Sequence, residues 1–298
     1  MTDVGQCGSL SPVLTPEPET EATMDAVPDI RLRRLNEAPE RDGADYVLYW
    51  MVAARRLGWN FGLQRAVEAA NRRRLPLVVF EPLRCGYRWA SDRLHSFVID
   101  GMREHAGALA DRPGVRYVPY VERSVGEGRG LLSRLASRAA LVVTDDWPCF
   151  FLPRMQEAAA ARLDVRLEVV DGNGLLPLRA ADRVFPTAHG FRRHLQRELG
   201  PYLTRLPAAE PLAALQADVR PGLPAGVADA WPLDPAELLA GGPDLADLPI
   251  DHAVGPVEGR AGGSSAARRR LERFLDEGLA RYGERRNAPE EDAASRLS

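Results

Sequence analysis

Lysine is absent from this sequence. All 39 basic residues other than histidine are arginine, and Ala, Gly and Pro are abundant, which reads as a coding bias rather than as arginine selected for phosphate. Cysteine is scarce: Cys7, Cys85 and Cys149 match neither a disulfide framework nor a CxxC metal pair. Long apolar runs are missing too, since 46–54 and 75–80 fall far short of the roughly 20 residues that span a bilayer. The N-terminus has no basic stretch followed by an apolar one, so no secretory signal is read and a cytoplasmic location is expected. A formal net charge of −3 gives no chain-wide footprint for nucleic acid, so a DNA-binding surface must be local or lie elsewhere. No GxSxG, Walker A or HExxH sequence occurs, and the five histidines have no metal-ligand spacing.

What is present is an α/β text. Residues 1–40, rich in Pro, Thr and Glu, read as a disordered leader, with Met24 a candidate true start. Strands are expected over 46–52, 75–83, 115–121, 140–145 and 165–170. Helical spacing lies between them, over 60–73, 91–109, 130–137 and 153–162. Such alternation predicts a Rossmann-like, doubly wound five-stranded parallel sheet over 41–200. Repeated Pro and Gly make 201–262 an interdomain linker. From 263 to 298 a helix capped by Ser264 or Ser265 is expected, with Ala267, Leu271, Phe274, Leu275, Leu279 and Tyr282 on a face that needs a partner.

In an open α/β sheet, ligands bind beyond the carboxyl ends of the strands, where strand order reverses. Here those ends are 51–55, 81–84, 144–147 and 171–174. Asp145 and Asp146, followed by Trp147 and Phe150, place carboxylates beside aromatic planes, which suits a polar aromatic ligand but equally suits helix capping. The run Asp171-Gly-Asn-Gly174 lacks GxGxxG spacing and reads as a turn. The five tryptophans read as packing residues. Of the arginine runs, 72–74 sits near a helix C-terminus and 268–270 faces solvent. The physical reading by itself reaches a ligand-binding α/β domain followed by the start of something helical.

Four stretches resemble a known family. Asp45-Tyr-Val-Leu-Tyr-Trp-Met-Val-Ala-Ala54 looks like the first strand of class II DNA photolyases. The segment 83–102 resembles the second βα crossover of a related bacterial branch, and 142–155 its fourth strand and following helix. The end of the chain is the most specific, with Leu271-Glu-Arg-Phe-Leu275, Arg281-Tyr-Gly-Glu-Arg-Arg-Asn287 and Ser295-Arg-Leu-Ser298 resembling the start of the photolyase FAD domain.

By this resemblance Tyr282, Ser295, Leu297 and Ser298 would contact FAD, and Ala294 stands where the family usually has Thr. The resemblance implies a deoxyribodipyrimidine photolyase, a lyase in which light-excited reduced FAD splits cyclobutane pyrimidine dimers in DNA. It also implies a deazaflavin-type antenna chromophore, expected between 51–55 and 144–150. The damaged-DNA partner would be held through a C-terminal helical domain missing from this chain, and the full-length protein would be a monomer. The chain is expected to stop as the all-α FAD domain begins, and alone to neither hold FAD nor repair DNA. A stand-alone chromophore- or nucleotide-binding module and a cryptochrome-like signalling protein are the alternatives, which the SRLS sequence disfavours.

Overall fold

Five short apolar runs that must hide both faces become the centre of a sheet. A computed structural model describes residues 24–231, 235–291, 293 and 294 of the chain. Its parallel strands are β2 (Tyr46–Trp50), β3 (Leu77–Leu83), β4 (Val115–Val121), β5 (Ala139–Asp145) and β6 (Leu167–Val170). Every residue of β2, β5 and β6 is buried, as a sheet covered on both faces requires. A sixth strand, β1 (Leu32–Arg34), joins the β6 edge antiparallel, so the sheet is mixed and six-stranded with the order β1-β6-β5-β2-β3-β4. β1 comes from the stretch read as leader. It is three residues long with no apolar alternation, and its hold comes from its neighbour Arg31, whose buried guanidinium donates to the carbonyls of Asp171, Gly174 and Leu175 and lies 4.5 Å over the Phe61 ring.

Helices α1 (Phe61–Arg73) and α2 (Asp92–Leu109) cover one face of the sheet, and α3 (Leu131–Ala136) and α4 (Leu152–Ala160) cover the other. α1 begins where Asn60 accepts from the Leu63 amide and ends at Arg74 in the left-handed conformation. Its small residues Ala66, Ala69 and Ala70 are fully buried and let it lie close on the sheet. The chain steps outward from β2 through β3 to β4 and then returns to β5, on the other side of β2. The strand order therefore reverses between β2 and β5, and the neighbours Trp50 and Thr144 mark that switch point.

Beyond β6 follow α5 (Ala188–Glu198) and the Pro-rich stretch, with short turns and the brief helices α6 (Val227–Ala230) and α7 (Pro235–Leu239). This stretch adheres to the α/β unit: Leu212, Val227, Leu238 and Leu248 are buried, and the Trp231 indole donates to the Glu127 carbonyl at 2.9 Å. Helix α8 (Ser264–Arg273) continues through a π-helical turn, Phe274–Gly278, to Tyr282–Arg285. Neither serine caps it. Gly263 precedes the first turn, and the Glu104 carboxylate of α2 accepts from the Ser265 amide at 3.2 and 3.1 Å, an anion from a neighbouring helix doing the cap's work. Its apolar face is open, with Leu275 and Leu279 each about half exposed.

Candidate functional site

The carboxyl ends of β2 and β5 meet as expected, but the chain itself fills the space between them. After β2 the backbone turns so that the amides of Val52, Ala53 and Ala54 converge on Asp145 Oδ2 at 3.0, 2.8 and 3.0 Å. Successive amides arranged in this way make an anion nest, and the nest here holds an internal carboxylate. Asp145 Oδ1 accepts from the Tyr49 hydroxyl at 2.6 Å, and burial together with the adjacent carboxylate pushes that phenol well above its ordinary pKa. Gly62 of α1 packs against this pair, where a Cβ would lie 2.8 Å from Asp145 Oδ1. Asp146 faces Arg33 at 3.3 Å and Arg179 at 3.4 Å. The two carboxylates thus serve the backbone and the edge strand.

A second buried network sits at the end of β3. Glu81 is fully buried and accepts from His105 Nδ1 at 2.8 Å, the Tyr117 hydroxyl at 2.7 Å and Arg55 at 2.9 Å. Burial raises its pKa, but the His105 hydrogen bond and the Arg55 charge outweigh that and hold it below the ordinary carboxylate range. It is a structural knot, tying β3 to α2, β4 and the loop after β2.

The open space lies on the α3/α4 face. A cavity of about 440 Å³ is floored by Trp50, Phe80 and Tyr120, one from each of β2, β3 and β4. Phe151 and Met155 of the α4 region wall one side, and the loop before α3 walls the other. That loop, Gly126-Glu-Gly-Arg-Gly130, is held by the buried Glu122. Glu122 Oε1 accepts from the amides of Gly126 and Gly128 at 3.0 and 3.4 Å, while Oε2 accepts from the Cys85 amide at 3.0 Å. Gly130 ends the loop at φ 93, a left-handed conformation that favours glycine. Burial and the Glu122 carboxylate push the Cys85 thiol up to about 11.

Around the mouth stand Arg84, Arg129, Arg154 and Arg162, all exposed and with no ion pair among the described residues. Arg84 lies 5.8 Å over the Phe151 ring. The indole N–H of Trp50, buried in the floor, finds no acceptor among the described residues. Its desolvation is left uncompensated by the chain. Aromatic planes below, guanidinium groups at the rim and an orphan donor suit a flat aromatic ligand that carries an anionic tail and an acceptor. The expected pairing of carboxylates with aromatics is here one of arginines with aromatics. The glycine-spaced loop after β4 was the sequence signal for it.

Of the residues expected to contact FAD, only Tyr282 is among those described. Tyr282 is 37% exposed, its ring edge-on to Phe274 at 5.8 Å, and it stands in no enclosed cavity among the described residues. Ser295, Leu297 and Ser298 lie outside the described residues. The turn reading of 171–174 holds: Asp171 Oδ1 accepts from the Asn173 amide at 2.9 Å and Oδ2 from the Leu178 amide at 2.6 Å.

No family model matches the chain. It is 33% identical over 178 residues to the deoxyribodipyrimidine photo-lyase of Methanothermobacter thermautotrophicus, a match that covers 59% of this chain and 39% of that protein. In fold it is similar to a class III photolyase from Agrobacterium tumefaciens, with a TM-score of 0.56 at 19% identity over 87% of this chain and 50% of the other. The chain thus spans half or less of the length of these relatives. No described helix is long and apolar enough to cross a membrane. The chain is thus similar in sequence to one photo-lyase over part of its length and similar in fold to a second.

Proposed function

We propose that this chain is the antenna-bearing α/β part of a deoxyribodipyrimidine photolyase, the lyase that splits cyclobutane pyrimidine dimers in damaged DNA with light. The 33% identity to a photo-lyase supports the family. The observation that carries the site is the cavity at the carboxyl ends of β2, β3 and β4. In such enzymes reduced FAD supplies the electron and the antenna supplies excitation. This chain's residues would bind and orient the antenna: Trp50, Phe80 and Tyr120 against its rings, the Trp50 indole N–H toward an acceptor, and Arg129 and Arg154 toward an anionic tail. Water is kept from the rings by Phe151 and Met155 on one side and the Glu122-pinned loop on the other. Tyr282, with Ser295, Leu297 and Ser298, is proposed to touch FAD.

The test is direct. The chain is incubated with a deazaflavin or flavin mononucleotide and passed over a desalting column, and the retained visible absorbance is measured. Arg129→Ala and Arg154→Ala should each lower retention, and Trp50→Phe should weaken binding with little loss of fold. Retention indifferent to all three would remove the antenna from this cavity.

A further inference from the structure

We propose that Trp231, in the Pro-rich stretch after the sheet, is a positioning residue for the cavity on the α3/α4 face: it holds the glycine-rich wall from outside and so sets where Arg129 stands. The role in binding rests on the reading of that cavity as a ligand site, but the hold on the wall is a property of the chain alone. Three of the five residues in Gly126-Glu-Gly-Arg-Gly130 are glycine, which loses more conformational freedom on ordering than any other residue. Gly128 passes so close over the cavity floor that a Cβ there would lie 2.9 Å from Tyr120 Cε1. With glycine on both sides of Arg129, the backbone hydrogen bonds of the loop decide where that arginine sits.

One peptide unit of the loop is gripped at both ends. The amide of Gly128 donates to the buried Glu122 carboxylate at 3.4 Å, and the carbonyl of the same unit, that of Glu127, accepts from the Trp231 indole at 2.9 Å. In a trans peptide these two groups point in opposite directions, so Glu122 holds the unit from one side and Trp231 from the other. Glu127 then carries the hold to the floor, since its Oε2 accepts from the Tyr120 hydroxyl at 3.2 Å and from the Arg123 amide at 2.9 Å. The Trp231 ring also stands over Gly130, where a Cβ would lie 3.6 Å from its Cζ2.

Trp231 is itself fixed. Its amide donates to the carbonyl of Val227 at 2.9 Å, and Val227 is fully buried in the apolar cluster that contains Trp50, Phe80 and Tyr120. On either side of it along the chain, Arg134 of α3 donates to the Ala225 carbonyl at 2.7 Å and Arg123 meets the Glu237 carboxylate of α7 at 2.5 and 2.7 Å. Trp231 does not line the cavity, so it acts on a ligand only through the loop. Without the indole N–H the loop regains freedom that its glycines allow, and a ligand held by Arg129 must order it on binding.

Hydrogen exchange of the 298-residue chain without ligand, read by peptide mass spectrometry, tests the hold directly. W231F keeps a ring over Gly130 and removes the donor, so the amides of 126–131 should exchange about 2–10 times faster, the factor that one ordinary hydrogen bond is worth, and far-UV circular dichroism should not change. Faster exchange confined to 223–239, with 126–131 unchanged, would make Trp231 a packing residue of its own stretch and overturn the proposal. Titration with flavin mononucleotide, followed by its fluorescence, should show W231F weakening binding by a similar factor in the parent but hardly at all in an R129A background, because both changes act through one group. Independent losses in that cycle would overturn the placing of Arg129 by Trp231. A parent chain that takes up neither flavin mononucleotide nor a deazaflavin would remove the antenna reading, while the exchange of 126–131 would still decide the hold.

Discussion

Replacing Asp145 tests whether the switch-point carboxylate serves the backbone or a ligand. Its two oxygens accept four hydrogen bonds, from the amides of Val52, Ala53 and Ala54 and from the Tyr49 hydroxyl. In Asp145→Ala the Val52 amide and Tyr49 hydroxyl are left buried, each at a cost of about 1–3 kcal/mol. Tyr49 recovers part of that through Asn60 Oδ1, 3.4 Å away, and the half-buried Ala53 and Ala54 amides recover part from water. The net loss should be about 3–5 kcal/mol, a large share of the roughly 5–15 kcal/mol that holds a domain together. Asp145→Asn keeps an acceptor for the amides and a donor that Tyr49 can accept, so it loses only the charge, about 1–3 kcal/mol. Urea unfolding followed by circular dichroism ranks parent, Asn and Ala in that order. An alanine variant within about 1 kcal/mol of the parent, but unable to retain chromophore, would make Asp145 a ligand contact and refute the nest.

Glu81 carries a pH signature. Its folded pKa is depressed, so its contribution is present above the unfolded value of about 4.3 and is lost as pH falls through the folded one; Glu81→Gln should be less stable at pH 7 and flatter between pH 5 and 2 in a series of urea midpoints. Cys85, buried and pushed up to about 11, should stay unalkylated by iodoacetamide at pH 8 while the exposed Cys149 reacts, as peptide mass spectrometry would read; equal labelling of both would contradict the Glu122 arrangement. Gly62→Ala should lower the thermal midpoint despite alanine's helix propensity, because its Cβ would lie 2.8 Å from Asp145 Oδ1; an unchanged or raised midpoint would show that α1 can shift away.

The five parallel strands were legible because each is a run buried on both faces, a pattern set by hydrophobicity alone. β1 was not, because three residues with two exposed arginines carry no such pattern, and what anchors the strand is a cation on the ring of Phe61. The site was half legible: the switch point falls where the alternation put it, but Asp145 looks in sequence like any carboxylate at a strand end. The arginine rim was hidden by abundance. With every cation an arginine, Arg84, Arg129 and Arg154 stand out only once folding gathers them around one cavity.

The π-helical turn at Phe274–Gly278 sets the course of the stripe above it. In an unbroken α-helix, residues four apart drift steadily around the axis, and Leu271, Leu275 and Leu279 would wind away from any straight partner. A turn closed by a wider loop of backbone subtracts from that drift, and Gly278 makes it possible, since a Cβ there would press to 2.8 Å from the Phe274 ring. The leucines are thereby kept in phase, a straight ridge where an ordinary helix would present a spiral.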